Sequence, residues 1–158
     1  MLIKGGYMLA KDIMTQSVKL VSPRLAIREF ASFLIKENIS GAPVVDEGGK
    51  FLGIATEEDL IFQDKKINLP SFLNLFANFV PLGVAQTEEE LKKITGTKLQ
   101  DVMQVESQTI TSQTTTEEIA TIMSENKSYY LVVLDNGAVA GVVTKRDVIK
   151  AVAKGKIW

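Results

Sequence analysis

The chain has 158 residues, of which 46% are hydrophobic and 23% charged, and a mean hydropathy of +0.12, a composition that excludes a disordered protein. Its net charge of -1 provides no broad basic field to hold nucleic acid or an anionic membrane, so neither is an expected partner. The absence of cysteine and histidine excludes disulfides and Ser-His-Asp hydrolysis, and it leaves little room for a zinc site.

No targeting or membrane-spanning segment is expected from the sequence. The first ten residues carry one lysine and no long apolar run before the charged pair Lys11 and Asp12, unlike a signal peptide. The most apolar stretch, 72–84, is interrupted by asparagines and Pro81 and is too short to cross a bilayer. We therefore expect a cytoplasmic protein.

The chain contains two copies of one pattern. The triplet Asp-Ile-Met at 12–14 recurs 89 residues later as Asp-Val-Met at 101–103, whereas the Val-Val pair at 44–45 recurs at an offset of 88. This change of offset predicts that the second copy is one residue shorter near the end of its first helix. The expected organisation is a first repeat at 8–60, an insert at 61–97 and a second repeat at 98–154.

The first copy reads as strand, helix, hairpin and helix. An apolar segment at 18–21 precedes Pro23 and a helical pattern with apolar residues at 27, 30, 31, 34 and 35. Two β-rich runs follow at 42–45 and 51–55, separated by Gly48-Gly49, and a second helix is expected to start at Thr56.

The insert has a different character. Apolar residues recur at helical spacing from Phe72 to Phe79, and Thr87 with Glu90 has the spacing of a helix capping box. The segment is therefore predicted to be helical. Its apolar stripe is interpreted as a core or subunit contact or, alternatively, as a lid over a site.

The second copy repeats the order of the first. A short apolar segment at 109–111 is followed by a helix that begins with a capping box, Thr115 with Glu118. Strands at 130–134 and 138–143 flank Asn136-Gly137, a strong hairpin signal, and a helix starts at Thr144. The predicted fold is α/β (α+β), with two pseudo-symmetric βαββα repeats packed together because neither buries its apolar faces well alone.

Both copies carry the pattern Gly-x-x-Thr-x-x-Asp after the hairpin, at 53–59 and at 141–147. A Thr followed three residues later by an acid is a common helix N-cap, so a purely structural role is one interpretation. The alternative is a nucleotide site. A helix N-terminus attracts phosphate, a carboxylate can accept ribose hydroxyls, and a strand glycine would let a ligand approach the backbone.

The ordered set Asp-Ile-Met-Thr at 12–15, Ser-Gly-Ala-Pro-Val-Val at 40–45 and Gly-x-x-Thr-x-x-Asp resembles the CBS domain, the repeat named after cystathionine β-synthase. The second copy resembles it too, so the chain is similar to a stand-alone CBS pair. This resemblance implies a regulatory, non-enzymatic module with a cleft between the repeats. Two related positions there would take AMP, ADP, ATP or another adenosine derivative such as S-adenosylmethionine, with no required cofactor or metal.

The resemblance also implies roles for particular residues. Asp59 and Asp147 would accept the ribose hydroxyls, and Thr56 and Thr144 would bond the ribose or the first phosphate. The adenine would lie against the backbone of Gly41, Ala42 and Pro43. In the second copy the corresponding stretch reads Ser-Tyr-Tyr-Leu at 128–131, which changes the shape expected of the second pocket.

Two tyrosines in this stretch have two interpretations. Tyr129 and Tyr130 either pack within the sheet or offer a stacking face to a purine. Because adjacent strand residues point to opposite faces, at most one of them is expected to face the cleft.

Charge distinguishes the two copies of the motif. The first carries Glu57-Glu58 after its Thr, whereas the second carries Lys145-Arg146, which oppose the helix dipole and therefore need another explanation. An anionic ligand supplies one, so the second copy is expected to prefer phosphorylated nucleotides. Lys19, Arg24 and Arg28 are further candidates to reach phosphate.

The favoured function is nucleotide sensing, in which binding shifts the packing of repeats or subunits and an unidentified partner protein reads the shift. A dimerisation or protein-interaction module with one or both sites empty is the alternative. An enzyme is disfavoured because histidine and cysteine are absent. Leftover apolar helix surface predicts a homodimer.

Overall fold

The computed structural model describes residues 8–61 and 97–157, and elements are numbered within these ranges. The predicted insert, with its apolar stripe and its Thr87 capping box, lies outside the described residues apart from its two ends. The helices are α1 (Ala10–Ile13), α2 (Ile27–Glu37), α3 (Glu57–Ile61), α4 (Thr116–Asn126) and α5 (Lys145–Ala153). The strands are β1 (Gly41–Val45), β2 (Phe51–Thr56), β3 (Thr109–Ile110), β4 (Tyr130–Asp135) and β5 (Ala138–Thr144), and a 3₁₀ turn covers Leu99–Asp101.

The mixed helix and strand architecture predicted from the sequence is confirmed. β1 and β2 form an antiparallel pair, while β3 runs parallel to β4 and β4 pairs antiparallel with β5. The apolar segment at 18–21 forms no regular strand. Only Val21 adds to the first pair, through bonds from its N to Pro43 O (3.1 Å) and from Val45 N to its own carbonyl (3.0 Å).

Helices α2 and α4 are equivalent elements of the two repeats. Each has 11 residues and ends at a left-handed residue, Asn38 in the first repeat and Lys127 in the second. The predicted capping box of α4 is present, since Glu118 N donates to Thr115 Oγ1 (3.2 Å) and Thr115 N donates to the Glu118 carboxylate (2.9 Å).

The strand register shows that the offset between the two repeats changes from 89 to 88 in the turn of the hairpin. Val44 lies opposite Gly53, and Val133 lies opposite Gly141, so Val44 corresponds to Val133 and the offset of 89 continues through β1. The prediction of a shorter first helix in the second copy was therefore wrong. The error arose because the apolar run around Val132 and Val133 can be aligned with Val44 and Val45 in two ways that differ by one residue.

The corrected register changes which residues correspond at the start of each hairpin. Ser40 O accepts from Glu57 N (2.9 Å), and Tyr129 O accepts from Lys145 N (3.1 Å). Ser40 therefore corresponds to Tyr129, and Gly41 to Tyr130.

Each repeat receives its first segment from the other half of the sequence. Residues 9–15 pack on the second repeat, where Ala10 N donates to Thr114 O (2.7 Å) and Ala10 is fully buried. Residues 98–104 pack on the first repeat, where Leu99 N donates to Leu25 O (2.8 Å) and Leu99 is fully buried. We call these two stretches the crossing segments.

The glycine of each shared motif admits a crossing segment. A Cβ added at Gly53 would lie 2.4 Å from Gln104 O, and one added at Gly141 would lie 2.7 Å from Met14 Sδ and 2.9 Å from Thr15 O. The expectation that these glycines let a ligand approach the backbone was wrong, because the chain itself occupies that position.

A third apolar cluster joins the repeats. It contains Ile54 from β2 together with Tyr130, Val132 and Val142 from β4 and β5. This shared core holds the two hairpins against each other and so positions the walls of the cleft between the repeats. Within the described ranges, none of the helices has the length and apolarity needed to cross a bilayer.

Candidate functional site

One cleft of about 990 Å³ lies between the repeats and collects most of the residues predicted for the site. Those that line it are Gly41, Thr56, Tyr129, Tyr130, Thr144, Lys145, Arg146 and Asp147. Ala42, Pro43 and Asp59 do not. Ala42 and Pro43 are fully buried, with Ala42 in the core of the first repeat, so only their neighbours Ser40 and Gly41 reach the cleft.

The cleft wall of the second repeat contains a carboxylate held by a helix cap. Asp147 Oδ2 accepts from Thr144 N (2.8 Å) and from Thr144 Oγ1 (2.9 Å), at the start of α5. The carboxylate is largely buried, since Asp147 is 7% exposed. The capping interpretation of this motif is therefore part of the structure, and the cap orients the carboxylate that the cleft exposes.

The first repeat contains the same hydrogen-bonded cap. Asp59 Oδ2 accepts from Thr56 N (2.7 Å) and from Thr56 Oγ1 (3.1 Å). Both copies of the motif are thus capping arrangements whose threonines line the same cleft. Their carboxylates differ in position, because Asp147 lines the cleft and Asp59 does not.

A residue from a crossing segment bonds the second oxygen of each carboxylate. Thr15 Oγ1 donates to Asp147 Oδ1 (2.8 Å), and Gln104 Nε2 donates to Asp59 Oδ1 (2.9 Å). Neither residue was predicted from the sequence to belong to the site. A signal existed in the repeat itself, because Thr15 and Gln104 follow the two Asp-x-Met triplets at equivalent positions.

The two tyrosines have different environments. Tyr129 is 46% exposed, and Lys145 Nζ lies 5.4 Å from the centroid of its ring. Tyr130 is 8% exposed and packs in the core that joins the repeats; this burial, with the negative charge of Asp147, raises its pKa above the ordinary value. Both line the cleft, contrary to expectation, because β4 starts at Tyr130 and strand alternation does not apply to Tyr129.

The cleft is richer in cations than the rest of the chain. Three carboxylates line it, from Glu57, Glu58 and Asp147. Five basic side chains line it: Lys19, Lys127, Lys145, Arg146 and Lys150. Since the chain as a whole carries a net charge of -1, this excess is local and favours an anionic ligand.

Most of these cations belong to the second repeat. Lys127 and Lys150 were missed by the sequence analysis, although Lys150 lies one helical turn after Arg146 and therefore on the same face of α5. Lys19 lines the cleft and pairs with Glu37 at 3.4 Å. Arg24 pairs instead with Glu47 at 3.4 Å, and neither it nor Arg28 lines the cleft.

Two repeats that exchange their first segments, with a Thr-x-x-Asp cap from each beside one cleft, define a paired-repeat module. Comparison with known proteins agrees. The CBS domain family matches residues 10–65 and 99–154, and the chain belongs to this family.

Relatives and solved structures match nearly the whole chain. An uncharacterized protein of Methanocaldococcus jannaschii is 34% identical over 94% of this chain and 94% of its own length. The chloroplastic CBS domain-containing protein CBSX1 of Arabidopsis thaliana is 25% identical over 94% of this chain, which spans 65% of that protein.

Two solved structures of similar fold contain adenosine derivatives. The structure of CBSX2 in complex with AMP has a TM-score of 0.70 at 23% identity and covers 96% of this chain and 100% of its own. The CBS domain pair of protein MJ0100, in complex with 5′-methylthioadenosine and S-adenosyl-L-methionine, has a TM-score of 0.69 at 24% identity, with coverage of 96% and 100%.

Proposed function

We propose that the protein is a regulatory, non-enzymatic module of the cytoplasm that binds an adenine nucleotide, AMP, ADP or ATP, or a related adenosine derivative such as S-adenosylmethionine, in the cleft between its repeats. The observation that carries this proposal is the clustering of cations around the Thr144 and Asp147 cap on a chain of net negative charge. The adenosine derivatives in the CBSX2 and MJ0100 structures support the ligand class.

The second-repeat half of the cleft offers a group for each part of a nucleotide. A carboxylate oxygen can accept about two hydrogen bonds, and Asp147 Oδ1 accepts one, from Thr15, so a ribose hydroxyl can donate the second. Lys145 and Arg146 are exposed beside it and would bond phosphate oxygens. The exposed ring of Tyr129 is available to adenine on the face that Lys145 leaves open.

A ligand at this position would act on both repeats. Asp147 belongs to the second repeat along the sequence, and it bonds Thr15 of a crossing segment that begins the first. A ribose that engages Asp147 therefore changes a contact between the two halves of the chain. A ligand shifts a conformational equilibrium only through such differential contacts, and a regulated partner would read the result.

The direct test is thermal unfolding with AMP, ADP, ATP and S-adenosylmethionine, and with CMP as a control for the base. A ligand at one hundred times its dissociation constant adds about 2.7 kcal/mol of stability. We expect at least one adenine compound to raise the midpoint and CMP to leave it unchanged. If no adenine compound raises it at millimolar concentration, the alternative of an interaction module with empty sites is favoured.

Charge reversal at the second repeat tests the phosphate contacts. In the double variant Lys145→Glu and Arg146→Glu, we expect ATP affinity to fall by about tenfold or more, since hydrogen bonds to charged groups contribute about 1.5 to 3 kcal/mol. Adenosine should bind nearly as before. The matched control is Lys154→Glu with Lys156→Glu, exposed cations outside the cleft lining. Calorimetric titration that shows equal losses for both double variants would contradict a local phosphate site.

Apolar helix surface supports the homodimer proposal. Ile149 is 59% exposed on α5, where Val152 is also exposed, and neither residue lines the cleft. In sedimentation experiments at about tens of micromolar protein we expect a dimer, because a stable interface should hold at that concentration. Ile149→Glu should shift the chain toward monomer, whereas Val105→Glu, at a loop residue of 64% exposure, should not. A monomeric unaltered chain would contradict the proposal.

A further inference from the structure

Helices α2 and α4 carry opposite charges at equivalent exposed positions. Four exposed residues on one side of α2 have equivalents on α4, each pair 89 positions apart along the chain. Spacings of three and four residues place each set along one side of its helix. We call the two sets the basic face of α2 and the acidic face of α4. The basic face contains Arg28, Ser32, Ile35 and Lys36, and the acidic face contains Glu117, Thr121, Ser124 and Glu125.

The charges of these faces are open to a partner. Within residues 8–61 and 97–157, the exposed side chains of Lys36, Glu117 and Glu125 form no ion pair. The acid that the two helices share, Glu29 in α2 and Glu118 in α4, is used locally as a cap. Opposite charges across an interface attract, and like charges placed opposite each other are strongly unfavourable. The two faces of one chain are therefore complementary to those of a second copy.

The shapes of the two faces are complementary as well. A depression of about 450 Å³ on α4 is lined by the two acids and otherwise only by small side chains, those of Ala120, Thr121 and Ser124. On α2 the equivalent of Ser124 is Ile35, whose side chain is 78% exposed at the edge of the cleft. An exposed apolar side chain gains free energy when it is removed from water, and the depression offers the space for it.

One partner can reach both faces. Asn38, which follows α2, and Asn126, the last residue of α4, line the same cleft, so the two helices end beside each other. α4 also packs on the same core as α5, the helix that exposes Ile149. A second copy that packs beside the cleft can therefore contact α2 and α4 together.

We infer that the chain forms a head-to-tail dimer, in which the basic face of α2 packs on the acidic face of α4 of a second copy. A two-fold axis makes this contact twice, because each chain supplies both faces. In a head-to-head dimer each face would meet its own copy, and like charges would oppose each other at both contacts. This inference rests on the homodimer proposed above and concerns its orientation, and it is independent of the ligand.

Single cysteines can identify the contact, because the chain has none of its own. Ser32 and Thr121 are exposed at the centres of the two faces and lie outside the cleft lining. With a short bismaleimide, we expect a covalent dimer when Ser32→Cys and Thr121→Cys chains are mixed, and none from either variant alone. The control is a mixture of Ser32→Cys with Lys50→Cys, at an exposed residue of the first hairpin turn, which should give no covalent dimer.

Charge reversal provides a second measurement on the intact dimer. Lys36→Glu should weaken the dimer by at least about tenfold in sedimentation, because it replaces attraction by repulsion at both contacts. Lys50→Glu, the matched control, should leave it unchanged. In a head-to-head dimer Lys36→Glu would only exchange one like-charge pair for another and have little effect.

The possible outcomes separate the proposals. Covalent dimers from Ser32→Cys or Thr121→Cys alone, none from their mixture, or an unweakened Lys36→Glu dimer would each overturn the head-to-tail orientation. A monomeric unaltered chain would overturn the orientation and the homodimer together. Thermal unfolding with the adenine compounds decides the nucleotide proposal separately, since it does not depend on how two chains associate.

Discussion

Asp147→Ala is expected to lower AMP affinity by about 10- to 150-fold, which corresponds to the loss of about 1.5 to 3 kcal/mol from a hydrogen bond to a charged group. The physical reason is that Asp147 lines the cleft and Oδ1 has one acceptor position left for a ribose hydroxyl. Because the same carboxylate caps α5 and bonds Thr15, the variant should also lose about 1 to 2 kcal/mol of stability. Calorimetric titration and urea unfolding measure the two effects separately.

Asp59→Ala is the matched control for this variant. It removes an equivalent cap and an equivalent contact to a crossing segment, so the loss of stability should be similar. Its AMP affinity should change by less than about threefold, because Asp59 does not line the cleft and losses below 1 kcal/mol are expected when no ligand bond is removed. The reverse pattern, a large loss in Asp59→Ala and none in Asp147→Ala, would place the ribose in the first half of the cleft.

Gly53→Ala is expected to destabilise the fold by about 3 kcal/mol, near the upper end of the cost of overpacking. The added Cβ would lie 2.4 Å from Gln104 O and 3.1 Å from Gln104 C, which are backbone atoms and cannot move away by a change of rotamer. The crossing segment must therefore shift away from β2, where Gln104 and Ile54 bond each other in both directions. Urea unfolding measures the change in stability.

The control for this variant is Gly48→Ala. Gly48 lies in the first hairpin turn without a positive φ, and an added Cβ there would meet only Asp46 Oδ1 at 3.4 Å. Its expected effect is within about 0.5 kcal/mol, as for a surface substitution. Similar stabilities of Gly53→Ala and Gly48→Ala would show that the crossing segment does not approach β2 closely in solution.

Local signals predicted the elements that carry the site. The apolar periodicity at 27–35 and the capping box at Thr115 correspond to α2 and α4, and Asn136-Gly137 forms the turn between β4 and β5. The Thr-x-x-Asp spacing predicted two helix caps, and the structure shows that the threonines of both line one cleft. These predictions succeed because periodicity, capping and turn chemistry depend on residues that are close in sequence.

Features that depend on distant residues could not be predicted. Spacing within a repeat does not show that Gln104 pairs with Ile54 or that Gly53 faces a crossing segment, since both contacts join different halves of the chain. The predicted roles of Ala42 and Pro43 came from the resemblance alone. Adjacent strand residues point to opposite faces of a sheet, so one of the two would ordinarily face outward. The sequence did not show that the side chains of Ala42 and Pro43 are both buried.

The crossing segments also determine when the protein can fold during its synthesis. The bond between Thr15 and Asp147 joins residues 132 positions apart, so the crossing segment at 9–15 must wait until β5 and α5 have been synthesised. Such long-range contacts slow folding, because the chain must be ordered before they form. Until 98–104 emerges, the edge of β2 at Ile54 has no partner, and unpaired strand edges promote aggregation. A nascent chain halted within the insert would therefore hold one incomplete repeat and an unpaired crossing segment, and the fold would close only when the second repeat has left the exit tunnel.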